Sequence, residues 1–270
     1  MTTNWYKMAK PQADGYDTEQ LAAMDYTKYA WVYPKVPYTQ PVTLCNGKVS
    51  VVVDGVSGMG NIPFATAEQA SQAWADEQDS WLCWWPDGYQ ALGAYLDIFQ
   101  AHLRAEFMTS GCSSGHHISA NSWPHRHVVY VTINNFPGCA QGIYHEYAHL
   151  RLETMGIGVE THDGRLLQNG PDEVFVSSVR HDKKRPMSAV LHGVYAWLMF
   201  TENDWKLHMN GKFNQNEFRA AVQLNLPKIA KGWDEVNSFA RWTDEGQEFA
   251  AGIDTWKDSL LARCNDALAK

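Results

Sequence analysis

His145, Glu146 and His149 stand in the order His-Glu-Tyr-Ala-His. Residues four apart lie one above the other on a helix. A helical register therefore lets both imidazoles reach one metal ion and leaves Glu146 beside the volume where a metal-bound water or a substrate would lie. Two imidazoles do not complete such a centre. His192 is the first choice for a third ligand, because it interrupts the apolar run SAVLHGVYAWLMF, where an unpaired polar group costs free energy. Ligation and an ordinary hydrogen bond would each account for it. Glu173 is the competitor, since a glutamate from a second helix completes the thermolysin-like zinc site, although Asp172-Glu173 equally suits a helix entry. His162 and the His125/His127 pair are further imidazoles. The pair precedes a strand and suits substrate contact or ordinary hydrogen bonding better than ligation.

The elements that must present these groups follow from the same stretch. HVVYVTINN, rich in β-branched and aromatic residues, predicts a strand; Pro137-Gly138 ends it, and CAQGIYHEYAHLRLETM reads as the helix that carries the motif. Val51–Val53 reads as the centre of a short strand with glycine turns after it, and GVSGMG lacks the GxGxxG phosphate pattern. Helices are predicted over 66–82, entered through a Thr66-x-x-Gln69 capping box, and over 86–108, entered near Pro86. Between them WLCWWP is an aromatic cluster that packing explains. A loop or short hairpin is expected over 155–170, and a buried helix runs from about Pro186 to Phe200. Helices over 214–236 and 245–268 are broken or bent at Pro227 and around Thr243. The expected fold is α+β and mostly helical, with short N-terminal and central strands around the metal-site helix, in one domain spanning 1–270.

Composition narrows the classes of function. With 22 Lys+Arg against 30 Asp+Glu the formal charge is −8, which disfavours a general nucleic-acid or anionic-membrane surface. A hydrophobic fraction of 45% fills a core and excludes disorder as the main state. Cys45, Cys83, Cys112, Cys139 and Cys264 form no CxxC pair, and the odd number points to free, mostly buried thiols. No signal-like apolar run opens the chain, and the strongest later run is too short to span a bilayer. A cytoplasmic protein with no membrane or nucleic-acid partner is expected.

HEYAH, followed by Arg185-Pro186 and then Leu191-His192-Gly193-Val194-Tyr195-Ala196, resembles the HExxH-containing peptide-modifying proteins associated with ribosomal peptide pathways. Iron and 2-oxoglutarate-dependent peptide β-hydroxylases are among them, and the similarity runs over about residues 145–200. The resemblance implies that His145, His149 and His192 bind Fe(II). It also implies that Arg185, or Arg180 as the alternative clamp, pairs with the carboxylate of 2-oxoglutarate, as a planar guanidinium can do through two parallel hydrogen bonds. The substrate would be a peptide side chain, an amino acid or another small metabolite. In that oxygenase reading Glu146 tunes or positions the site.

Two other readings use the same motif. In a Zn(II) hydrolase Glu146 is the general base, and Tyr147 or a nearby histidine steadies the oxyanion. The extended HExxHxxGxxH pattern is absent, because Leu152 occupies the glycine position. A noncatalytic metal-binding domain would hold the metal tightly with no open coordination position.

Overall fold

The computed structural model describes residues 2–24, 42–46, 49–52, 72–98, 102–106, 119–122, 125–132, 136–179 and 183–270. The Thr66 capping box, the glycine turns after Val53, Cys112 and Arg180 lie outside the described residues.

The strands β1 (Val42–Leu44), β2 (Val49–Val52), β3 (His102–Glu106), β4 (Ser119–Ser122) and β5 (His125–Thr132) form one sheet in the order β1-β2-β3-β5-β4. Its centre is parallel, β2 to β3 and β3 to β5, and both edges are antiparallel. The helix expected over 86–108 corresponds to α4 (Pro86–Ile98), while 102–106 is the central strand β3. Helix propensities differ among ordinary residues by only a few tenths of a kcal/mol. Pairing on both sides decides HLRAE instead, with Leu103 opposite Val51 in β2 and Val129 in β5.

After β5 the chain enters α5 (Phe136–Thr154), which carries HEYAH. Its burial is uneven in an informative way. From Gly138 to Thr154 every residue is buried except Gln141, His145 and His149, one side chain per turn on a single stripe. α5 packs against α6 (Met187–Met209), with Gln141 meeting Asp204, His145 meeting Phe200 and His149 meeting His192. Descending numbers against ascending ones make the two helices antiparallel. α6 starts one residue after Pro186 and runs a further nine residues past the expected end at Phe200.

α7 (Gln215–Phe239) opens on a capping box, Asn214 with Glu217, and continues through Pro227 without the expected break. Pro227 and Gln223, whose carbonyl loses its helical donor there, are both exposed, so water can satisfy the freed oxygen. The break around Thr243 is observed: Thr243 caps α8 (Asp244–Leu268) by accepting from the Gly246 amide. The WLCWWP residues pack as expected. Trp85 is fully buried against Tyr144 and Trp256, and Trp81 lies against Phe136 and Phe213.

The N-terminal helices α1 (Trp5–Met8) and α2 (Tyr16–Ala23) are tied to this core through Arg151 of α5. Its fully buried guanidinium pairs with Asp17, donates to the Met8 carbonyl at 2.6 Å and donates through Nε to the Tyr195 hydroxyl of α6 at 2.9 Å. α1 also rests on α8 at Gly252, where a Cβ would collide with the Tyr6 carbonyl and Ala9. Because backbone stands in the way, Gly252→Ala is expected to cost about 1–3 kcal/mol in denaturant unfolding, the range for overpacking; an unchanged midpoint would contradict this packing. Among the described residues no helix is long and apolar enough to cross a membrane.

Candidate metal centre

The open stripe of α5 is the place where three imidazoles meet. His149 Nε2 lies 3.0 Å from His145 Nε2, and His149 Nδ1 lies 2.7 Å from His192 Nδ1. The His149 and His192 rings stack, and His145 stacks on Phe200. His192 is 1% exposed, while the His145 side chain keeps 25% of its surface. Burial, with His192 alongside, pulls the His149 pKa down to about 3. Burial likewise takes His192 to about 4, although the Ile157 carbonyl works in the opposite direction. Both rings are therefore neutral at pH 7 and keep a lone pair available. As the rings stand, His149 faces His145 through Nε2 and His192 through Nδ1, while His192 Nε2 faces the Ile157 carbonyl. Among the described residues no group of three or more His, Cys, Asp and Glu has the arrangement of a metal site.

The groups around the cluster divide by helical phase. Glu146 is buried next to His145, with Oε1 3.9 Å from His145 Nε2. Tyr147, expected as an oxyanion donor, does not join the histidine face. Two residues along a helix turn a side chain to the far side, and there Tyr147 is fully buried edge-on to Tyr95, on the flank that carries Arg151. Burial pushes its hydroxyl pKa far up.

Glu173, the competing third ligand, points elsewhere. It is bound to Arg241 by hydrogen bonds to both carboxylate oxygens, one of them 2.6 Å, and accepts from the Gly170 amide at 2.7 Å. The Arg241 hydrogen bond first, and the Gly170 amide second, hold its pKa down to about 2. His162 is held by the Asn169 carbonyl and the Gly164 amide. His125 and His127 stand on β5.

Arg185 pairs with Phe175 in the short ladder of β6 (Val174–Phe175) and β7 (Arg185–Pro186), just ahead of the helix that carries His192. Its Nε is buried and has no acceptor among the described residues. The buried thiols Cys139 and Cys264 have raised pKa values because of desolvation, that of Cys264 to about 12. No disulfide joins the described cysteines, and Cys83 alone among them is exposed.

Asp204 was not singled out by the sequence. It is fully buried and accepts from Gln141 Nε2 at 2.9 and 3.0 Å, one turn from His145 on the same stripe. Burial lifts its pKa to about 7 against the opposing Gln141 hydrogen bond. The folded state thus holds a proton that the unfolded chain has lost above its ordinary pKa of 3.8. Stability therefore falls as pH rises from about 4 to about 7, by at most roughly 1.4 kcal/mol per pH unit from this group. Asp204→Asn is expected to flatten that fall in denaturant unfolding measured across the window. An identical slope in the variant would show that Asp204 does not titrate there.

No protein-family model matches the chain, and a search of characterised proteins finds no match.

Proposed function

We propose that the chain is a metal-dependent enzyme whose ion is held by His145, His149 and His192, and that it acts as a non-haem Fe(II)/2-oxoglutarate-dependent oxygenase on an amino acid, a small metabolite or a peptide side chain. The observation that carries the metal reading is the α5 stripe. In a helix otherwise buried from Gly138 onward, the partly exposed positions are Gln141, His145 and His149, and a third imidazole, His192 of α6, meets His149 there. Imidazole donors suit iron and zinc alike.

The donor chemistry suits a bound ion once His149 turns, because that ring faces His145 through Nε2 and His192 through Nδ1 and can give only one nitrogen to a shared ion. His192 Nε2 lies 2.7 Å from the Ile157 carbonyl oxygen, in the position of the outer hydrogen bond that metal-ligating histidines make, and Nδ1 faces the cluster. Ferrous iron would supply dioxygen activation there, with the oxoacid as co-reductant. Arg185 supports the oxoacid, because its buried Nε–H lacks an acceptor among the described residues and a carboxylate would provide one. It lies in β7, seven residues before His192 and just ahead of α6. Glu146 is buried beside His145, and Phe200 stacks on that imidazole.

A zinc hydrolase is the second reading, and two observations favour it. In that reading Glu146, buried 3.9 Å from His145 Nε2, is the general base for water. β4, which packs near α5, is an edge strand whose outer side has no partner among the described strands, and an extended peptide can pair with such an edge.

Anaerobic absorption spectroscopy separates the two. With one equivalent of Fe(II), adding 2-oxoglutarate should produce the weak visible charge-transfer band of a chelated oxoacid. Arg185→Ala should raise the 2-oxoglutarate concentration needed for half of that band by at least about tenfold, the loss of roughly 1.4 kcal/mol or more from a charge-assisted pair. Tight zinc binding, peptide cleavage and no band would replace the oxygenase with the hydrolase.

A further inference from the structure

The two nitrogens of His192 meet different partners. Nε2 is 2.7 Å from the Ile157 carbonyl oxygen, and Nδ1 is 2.7 Å from His149 Nδ1. A carbonyl oxygen only accepts, so Nε2 carries the proton of the neutral ring and Nδ1 carries the lone pair. A short N···N contact then needs its proton from the other side, which places the His149 proton on Nδ1 and its lone pair on Nε2. That lone pair faces His145 Nε2 at 3.0 Å, which must donate in turn.

We propose that the Ile157 carbonyl fixes the tautomer of His192 so that it offers Nδ1 to the centre. Resting on the metal-centre reading above, the same constraint arranges the metal-free rings as a one-way chain of donors, His145 to His149 to His192 to Ile157.

The turn that follows α5 is built to hold that carbonyl. The Ile157 amide donates to the Leu152 carbonyl at 2.9 Å, and Ile157 forms an isolated bridge with His162. Gly156 takes the left-handed conformation, φ 87°, that the reversal requires, and its carbonyl accepts from the Asp163 amide. A Cβ at Gly156 would run into the Asp163 carboxylate. From the other side, Ser188 of α6 donates to the Val159 carbonyl at 3.0 Å. One helix therefore carries both His192 and a second tie to the turn that orients it, and Ile157 is a positioning residue through its backbone.

Long-range proton–nitrogen correlation spectra of the full chain labelled with nitrogen-15 histidine test this, with His192 and His149 assigned from His192→Gln and His149→Gln. The metal-free protein should show His192 protonated at Nε2 and His149 protonated at Nδ1. One equivalent of Zn(II) should move the His192 Nδ1 resonance and leave its Nε2–H in place. Ser188→Ala, which loosens the turn without touching the rings, should speed exchange of that Nε2 proton several-fold. An Nδ1–H tautomer of His192 in the metal-free protein, zinc binding at its Nε2, or unchanged exchange in Ser188→Ala would overturn the proposal. If zinc moved no histidine nitrogen the metal reading would fall, and the metal-free spectrum would still decide the tautomer.

Discussion

His149→Ala is expected to abolish stoichiometric binding of Fe(II) and Zn(II) and, with it, turnover. His149 is the middle member of the cluster, touching His145 through one ring nitrogen and His192 through the other. Removing it would take away one of the three proposed ligands and separate the remaining two. The loss should exceed about 100-fold in affinity, beyond the 10–100-fold that follows removal of an outer hydrogen-bonding partner. His192→Ala should weaken binding strongly as well. Glu173→Gln should leave metal affinity unchanged, because that carboxylate is committed to Arg241 at the surface. Equilibrium dialysis with metal analysis measures all three variants. Retained one-to-one binding in His149→Ala, or a larger loss in Glu173→Gln than in His192→Ala, would contradict the ligand set.

Arg151→Met is expected to destabilise the fold severely. Arg151 and Asp17 are both fully buried, and removing one partner of such a pair leaves an uncompensated charge, at a cost of about 3–5 kcal/mol. The Met8 carbonyl and the Tyr195 hydroxyl lose their donor in the same step. Urea unfolding of the metal-free protein isolates the effect. The double variant Asp17→Asn with Arg151→Met should recover a substantial part of the loss, since no lone charge remains buried. A single variant as stable as the parent would mean that the network contributes nothing. Because Arg151 lies two residues from His149 and reaches across to Tyr195 of α6, it also braces the helix pair that sets the histidine distances.

The part of the site legible in the sequence is the part fixed by covalent spacing. His145 and His149 share a face because a helix repeats every 3.6 residues, and the polar interruption at His192 marked an apolar helix with something to satisfy. The same arithmetic carried a signal about Tyr147, which two residues of rotation send to the opposite flank. Contacts set by tertiary packing left no such mark. Arg241, which takes Glu173, lies far along the chain, and nothing near HDGRLLQNG announces it. Ile157 acts through its carbonyl, which any residue would supply. Asp204 became accessible to reasoning only with an α6 that runs past Phe200, through the acidic stretch Thr201-Glu202-Asn203-Asp204, whose side chains are all buried. In the sheet, β5 announces itself by composition, whereas β3 is a strand because β2 and β5 pair with it on either side.

The most direct test of the central claim is a Co(II) titration of the metal-free protein, read by the ligand-field absorption of the bound ion. The account predicts one saturable equivalent with the spectrum of imidazole coordination in an open site, displaced by Zn(II) and by Fe(II), and absent from His145→Ala and His149→Ala proteins that remain folded. No saturable spectrum in the parent protein, or the same spectrum in either variant, would contradict a metal centre on the open stripe of α5.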